Sequence, residues 1–168
     1  MRQLVLGGLL ACVAGVAVAQ TPDIPEAIKP AAGQAVYLTV PATGTQNYTC
    51  EKNASGAFAW VFKGPEAQLF DTNKKAIGKH YGGPTWEGTD GGKVVAAAKA
   101  NAPAPGGNSI PWLNLEVKSH EGNGQFTQAK AILRVSTTGG TAPTTPCAEA
   151  QNGTTSKVPY TATYLFVK

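Results

Sequence analysis

Along most of this chain, apolar and polar positions alternate with a period of two, the spacing of a pleated strand. Residues 57–63 show it best, with Phe58, Trp60 and Phe62 on one face and Ala57, Ala59 and Val61 on the other. That strong alternation assigns Trp60 to the core. Leu113, Leu115 and Val117 alternate with Asn114, Glu116 and Lys118, which gives that strand one wet face. Residues 127–135 set Ala129, Ala131, Leu133 and Val135 against Gln128 and Lys130. The last run places Val158, Tyr160, Ala162, Tyr164 and Phe166 between Thr161, Thr163 and Leu165, the aromatic and β-branched mixture that strands favour. Residues 31–40 and 46–51 have the same character. The alanine-rich stretch 94–100 suits either a short helix or a strand, and Val94-Val95 after Asp90-Gly91-Gly92 favours the strand.

Turn-forming clusters separate these runs at 41–44, 53–56, 106–108, 121–124 and 137–140. Short strands between such turns predict an all-β, single-domain antiparallel sandwich or barrel with long Gly/Pro-rich loops. No internal repeat is visible, and 20–33 reads as an extended, proline-spaced lead-in to a domain over 34–168.

The N-terminus changes the picture, because 1–19 has the form of an export signal. Arg2 supplies the positive start, 4–18 is almost wholly apolar, and Ala17-Val18-Ala19 is a small-x-small cleavage pattern before Gln20. A retained anchor would need roughly 20 apolar residues. Lipid attachment at Cys12 after Leu9-Leu10-Ala11 would leave only 4–10 as the apolar segment. Secretion into the periplasm or medium is therefore the expectation, with no membrane span after cleavage. Loss of Cys12 leaves Cys50 and Cys147, an even pair that reads as one disulfide in an exported chain. Zinc ligation would want close-set pairs instead.

Charge excludes more than it suggests. The formal net charge is +4, charged residues make up only 14 %, and the lysines are scattered. Without a basic stripe, nucleic acid is not an expected partner. No Gly-rich nucleotide fingerprint, Gly-x-Ser-x-Gly elbow or His-Glu-x-x-His motif occurs, so no cofactor and no catalytic residue is assigned. The sequons at Asn47, Asn53 and Asn152 are read as chance.

Candidate chemistry concentrates in residues 80–92, where His80, Tyr81, Trp86, Glu87 and Asp90 stand among Gly and Pro in what reads as a functional loop. Tyr81 and Trp86 offer stacking surfaces and Glu87 and Asp90 offer acceptors, which suits non-catalytic binding of an envelope or extracellular ligand, including a glycan. Trp112 joins them as a ligand-binding candidate, undecided between core and rim. Two alternatives stay open. His80, His120 and Glu87 are of metal-ligating types, although the histidines are far apart and neither sits in a His-x-His pair. A protruding loop could also belong to a secreted inhibitor. Glu87 and Asp90 as a glycosidase pair are weaker than Asp90 as a turn former before Gly91.

The ordered set Gly44-Thr-Gln-Asn-Tyr-Thr-Cys50, Gly64-Pro-Glu-Ala67, His80-Tyr-Gly-Gly-Pro-Thr-Trp86, Ile110-Pro-Trp-Leu113, Arg134-Val-Ser-Thr-Thr-Gly-Gly140, Cys147 and Val158-Pro-Tyr-Thr-Ala162 resembles a family of exported bacterial and fungal proteins known only as a domain of unknown function. The resemblance spans 24–168 and implies one exported domain, without an activity or catalytic residues. Some fungal members carry a malate dehydrogenase label. This chain lacks the dinucleotide fingerprint and the strand–helix alternation that label requires.

Overall fold

The structure, a computed structural model, describes residues 22–168; residues 1–19, read from sequence as an export signal, and Cys12 lie outside them. Eight antiparallel strands follow one another around a closed barrel. They are β1 (Val36–Lys52), β2 (Phe58–Phe70), β3 (Ala76–Tyr81), β4 (Thr85–Gly88), β5 (Lys93–Ala102), β6 (Trp112–Glu121), β7 (Ala131–Gly139) and β8 (Thr155–Val167). Each pairs with its sequence neighbour, and β8 closes the ring on β1 from Val36↔Val167 to Thr49↔Thr155. Closure leaves the sheet no free edge. Of the two all-β architectures compatible with the alternation, the chain forms the barrel. Residues 94–100 are part of strand β5.

The turn expected at 41–44 does not form, and β1 runs through it without a break. Pro41 is tolerated because β1 pairs with β2 only from Ala42 onward, so one side of the strand is unpaired at the proline. Gly44 is required for a different reason. A Cβ there would lie 2.1 Å from the Glu66 carbonyl oxygen and 2.5 Å from Ala67 Cα, so the close approach of β1 and β2 excludes any side chain. Beyond Gly64, β2 pairs with β1 alone, because β2–β3 pairing starts only at Glu66↔Tyr81. The ribbon therefore projects past the ring. That explains why Trp60 is half-buried, with its Nε1 donating to the Thr145 carbonyl at 2.9 Å, rather than in the core as its alternation suggested.

Two apolar clusters divide the buried residues. The inner one fills the barrel with Val40, Leu69, Trp86, Val94, Leu115, Ile132, Tyr164 and Phe166 among others. The second holds Trp112, Leu133, Val135, Leu165 and Val167, which alternate with the inner residues and so lie on the outside of β6, β7 and β8. The lead-in covers this outer patch. Ile28, in a single 3-10 turn (Glu26–Ile28), is fully buried there, and Asn114 Nδ2 donates to the carbonyls of Ile28 (3.2 Å) and Lys29 (3.1 Å).

One end of the barrel is plugged. The strand expected over 127–135 starts only at Ala131, and the residues before it turn inward as a floor. Phe126 is fully buried and stacks on Phe166 with centroids 4.7 Å apart. Asp90 holds this floor through Oδ2, which accepts from the Gln125 N–H at 2.8 Å. At the other end, Cys50 and Cys147 are joined with a Cα–Cα distance of 5.5 Å, tying the tip of β1 to the long β7–β8 connection.

Candidate functional site

Residues 80–92, read from composition as a loop, are mostly the β3–β4 hairpin, with tight turns only at 82–84 and 89–92. Pairing in a hairpin sends neighbours to opposite faces, and this splits the expected cluster. His80 and Trp86 are cross-strand partners pointing inward, 3 % and 0 % exposed, with rings stacked 4.3 Å apart. Tyr81 and Glu87 point outward. The Tyr81 hydroxyl donates to Glu87 Oε2 at 2.7 Å, and Lys79 Nζ lies 3.3 Å from Glu87 Oε1. These partners hold the Glu87 carboxyl below its ordinary range, the Tyr81 hydrogen bond contributing most. Asp90 lies at the plugged end, holding a turn. Trp112 belongs to the outer cluster. His120 is exposed, with Nε2 2.7 Å from the Ala129 carbonyl.

The ring brings other residues to His80 and Trp86. Between them and the open end lies a cavity of about 310 Å³, lined chiefly by apolar side chains. Tyr164 stands edge-on to both, at 4.9 Å from His80 and 5.3 Å from Trp86. Gln46 and Tyr48 from β1, Leu113 and Leu115 from β6, and Arg134 from β7 complete the wall, with Pro84 and Ile110 contributed by mouth connections. Phe62, 50 % exposed on the projecting ribbon, stands at the rim. Sequence reasoning alone missed Arg134, Gln46 and Tyr48. A signal was present: Arg134 is the one arginine beyond Arg2, and it falls in phase with the inward Ile132 in the otherwise apolar first half of its strand, residues 131–135.

The electrostatics of this cavity are one-sided. Burial lowers the His80 pKa to about 3, so the imidazole is neutral near neutral pH. Its Nδ1 lies 2.8 Å from the Thr85 carbonyl, an acceptor only; Nδ1 therefore carries the proton and Nε2 keeps its lone pair. Burial also pulls the Arg134 guanidinium below its usual value, yet an arginine stays charged. Among the described residues no carboxylate forms an ion pair with Arg134. Its Nε and Nη2 donate to the Pro111 carbonyl at 3.1 and 2.8 Å. Trp86 Nε1 and Gln46 Nε2 are fully enclosed donors without a partner. Each such donor costs about 1–3 kcal/mol. Burial raises the Tyr160 and Tyr164 hydroxyls, which lie 3.2 Å apart, so they remain protonated.

The histidines do not meet, and among the described residues no three His, Cys, Asp or Glu side chains gather as a metal site would need. No helix among those residues is long and apolar enough to cross a membrane. A family profile described as "Protein of unknown function (DUF3455)" matches residues 30–168. No curated protein and no solved structure matches the chain.

Proposed function

The chain belongs to the DUF3455 family of proteins of unknown function, and from that premise we propose that it is a binding protein holding one small, largely apolar molecule in the mouth of its barrel. The observation that carries this is the cavity itself. A closed ring of eight strands is just wide enough either to fill with side chains or to hold one small ligand. Here one half is filled, with Phe126 as its floor, and the other is left as an aromatic-walled space. Pockets that are mostly apolar with a few placed polar groups suit small molecules.

Binding without chemistry fits the lining. Among the described residues no carboxylate, serine or thiol borders the cavity, and a histidine with a pKa of about 3 is a poor general base at neutral pH. A polysaccharide fits less well, since Trp86 is enclosed rather than presented as a platform. Outward ion pairs between Glu66 and Lys157 and between Lys79 and Glu87 support a barrel that works in water, because a lipid-facing band excludes such charges. The disulfide supports an oxidising compartment, in keeping with the periplasm or the medium.

Titration with the uncharged apolar dye N-phenyl-1-naphthylamine tests the reading. One saturable site is expected. Ala98 is exposed at the lip of the cavity, so Ala98→Trp should block entry, lowering affinity about tenfold or more with Tm unchanged. No saturable binding, or binding unaffected by Ala98→Trp, would refute it.

A further inference from the structure

Resting on that reading of the cavity, we propose that its natural ligand is a small hydrophobic monocarboxylate, with Arg134 as the residue that selects the acid over its uncharged analogues.

Three features of the lining point the same way. Arg134 brings a fixed positive charge into a half-open, largely apolar mouth, where screening weaker than in bulk water strengthens any ion pair it makes. A charge withdrawn from water is ordinarily paired, and the protein gives this half-buried one only neutral partners, the Pro111 carbonyl and the Tyr164 hydroxyl. The Pro111 contact uses Nε and Nη2, and among the described residues no carboxylate takes up the charge. The planar guanidinium fork matches a carboxylate, and such charge-assisted bonds are the stronger kind.

The enclosed polar atoms without partners are, at this cavity, both donors: Gln46 Nε2 and Trp86 Nε1. Arg134, a cation with no anionic partner, is the group of the lining that asks for a negatively charged ligand. A neutral alcohol or amide would satisfy a donor and leave the charge uncompensated.

The same inventory limits the charge of the ligand. Arg134 is the only cationic side chain of the lining, because His80 is held neutral. One cation suits a monoanion, whereas a phosphate monoester would bring nearly two charges into the same apolar space. The rest of the wall, Trp86, Tyr164, Leu113 and Leu115, suits a hydrocarbon or aromatic body.

Calorimetric titration with a matched pair, decanoate and decanamide, on the full mature domain separates the choice of ligand from the existence of the site. The wild type should bind the acid at least about tenfold tighter than the amide. Arg134→Gln should remove that preference, lowering acid affinity about tenfold while amide affinity stays within about twofold, which also shows that the cavity is still formed. Arg134→Lys, which keeps the charge but not the fork, should fall between. Equal binding of acid and amide by the wild type, or a preference that survives Arg134→Gln, overturns the assignment while the mouth remains a binding site. Failure of both probes to bind overturns the mouth itself, and the inference with it.

Discussion

His80 was the most conspicuous residue of the sequence and turns out to be the most deeply committed to the fold. Its pKa falls from an ordinary 6.5 to about 3 because burial penalises the imidazolium. Above pH 6.5 neither folded nor unfolded chain holds this proton, and the stability is fully present. As pH falls, the unfolded chain takes up the proton first, so stability declines from about pH 6.5 down to about pH 3. By pH 5.5 the loss from this one group is about 1.4 kcal/mol. Urea unfolding at about pH 7.5 and pH 5.5 should show that loss in the wild type and not in His80→Gln. His120 is present in both proteins and cancels, and the window lies above the carboxylates. Equal pH dependence in the two proteins would show that His80 is not buried as described. The residue was visible in the sequence. Its role was not, because whether a ring faces a barrel or a solvent depends on the parity of its strand.

At the scale of elements, composition made residues 80–92 a loop, and the structure makes most of them the β3–β4 hairpin. Gly82, Gly83, Gly91 and Gly92 shape the two turns, whereas Gly88 is in strand. Gly88 and its strand partner Gly78 are required by close approach, since a Cβ would lie 2.4 Å from Asp90 Oδ1 at Gly88 and 2.4 Å from the Glu87 carbonyl oxygen at Gly78. The lead-in is the other element whose importance sequence hides. Ile24 and Ile28 are separated by Pro25, Glu26 and Ala27, a stretch too short for a period to be read, yet they cover the outer cluster of β6, β7 and β8. Ile28→Ala should therefore destabilise the domain by about 2–4 kcal/mol in a urea titration, with the m-value unchanged. A loss under about 0.5 kcal/mol, the range of ordinary surface changes, would mean that the lead-in is not docked.

For the whole molecule, ring closure and the disulfide share the work of holding the mouth. The bridge links residues 97 apart, and for so long a loop the chain-entropy estimate approaches about 4.7 kcal/mol, an upper guide. The barrel closes through β1–β8 pairing over most of both strands, independently of the bridge. The Cys50→Ala/Cys147→Ala double variant is thus expected to lose about 2–4 kcal/mol by chemical denaturation while its far-UV circular dichroism at 25 °C stays that of the wild type. A spectrum of an unfolded chain would mean that the bridge, and not the ring, specifies the fold.

By itself the sequence determined that the chain is all-β, antiparallel, disulfide-bonded and a member of its family. Alternation, turn residues and paired cysteines are local properties, written within a few residues of where they act. Closure into a barrel rather than a sandwich, the sorting of His80 and Trp86 inward from Tyr81 and Glu87 outward, and the meeting of Gln46, Trp86 and Arg134 around one cavity were decided only in three dimensions. Those residues lie on β1, β4 and β7, and nothing in their spacing along the chain records that a closing ring sets them around a common space.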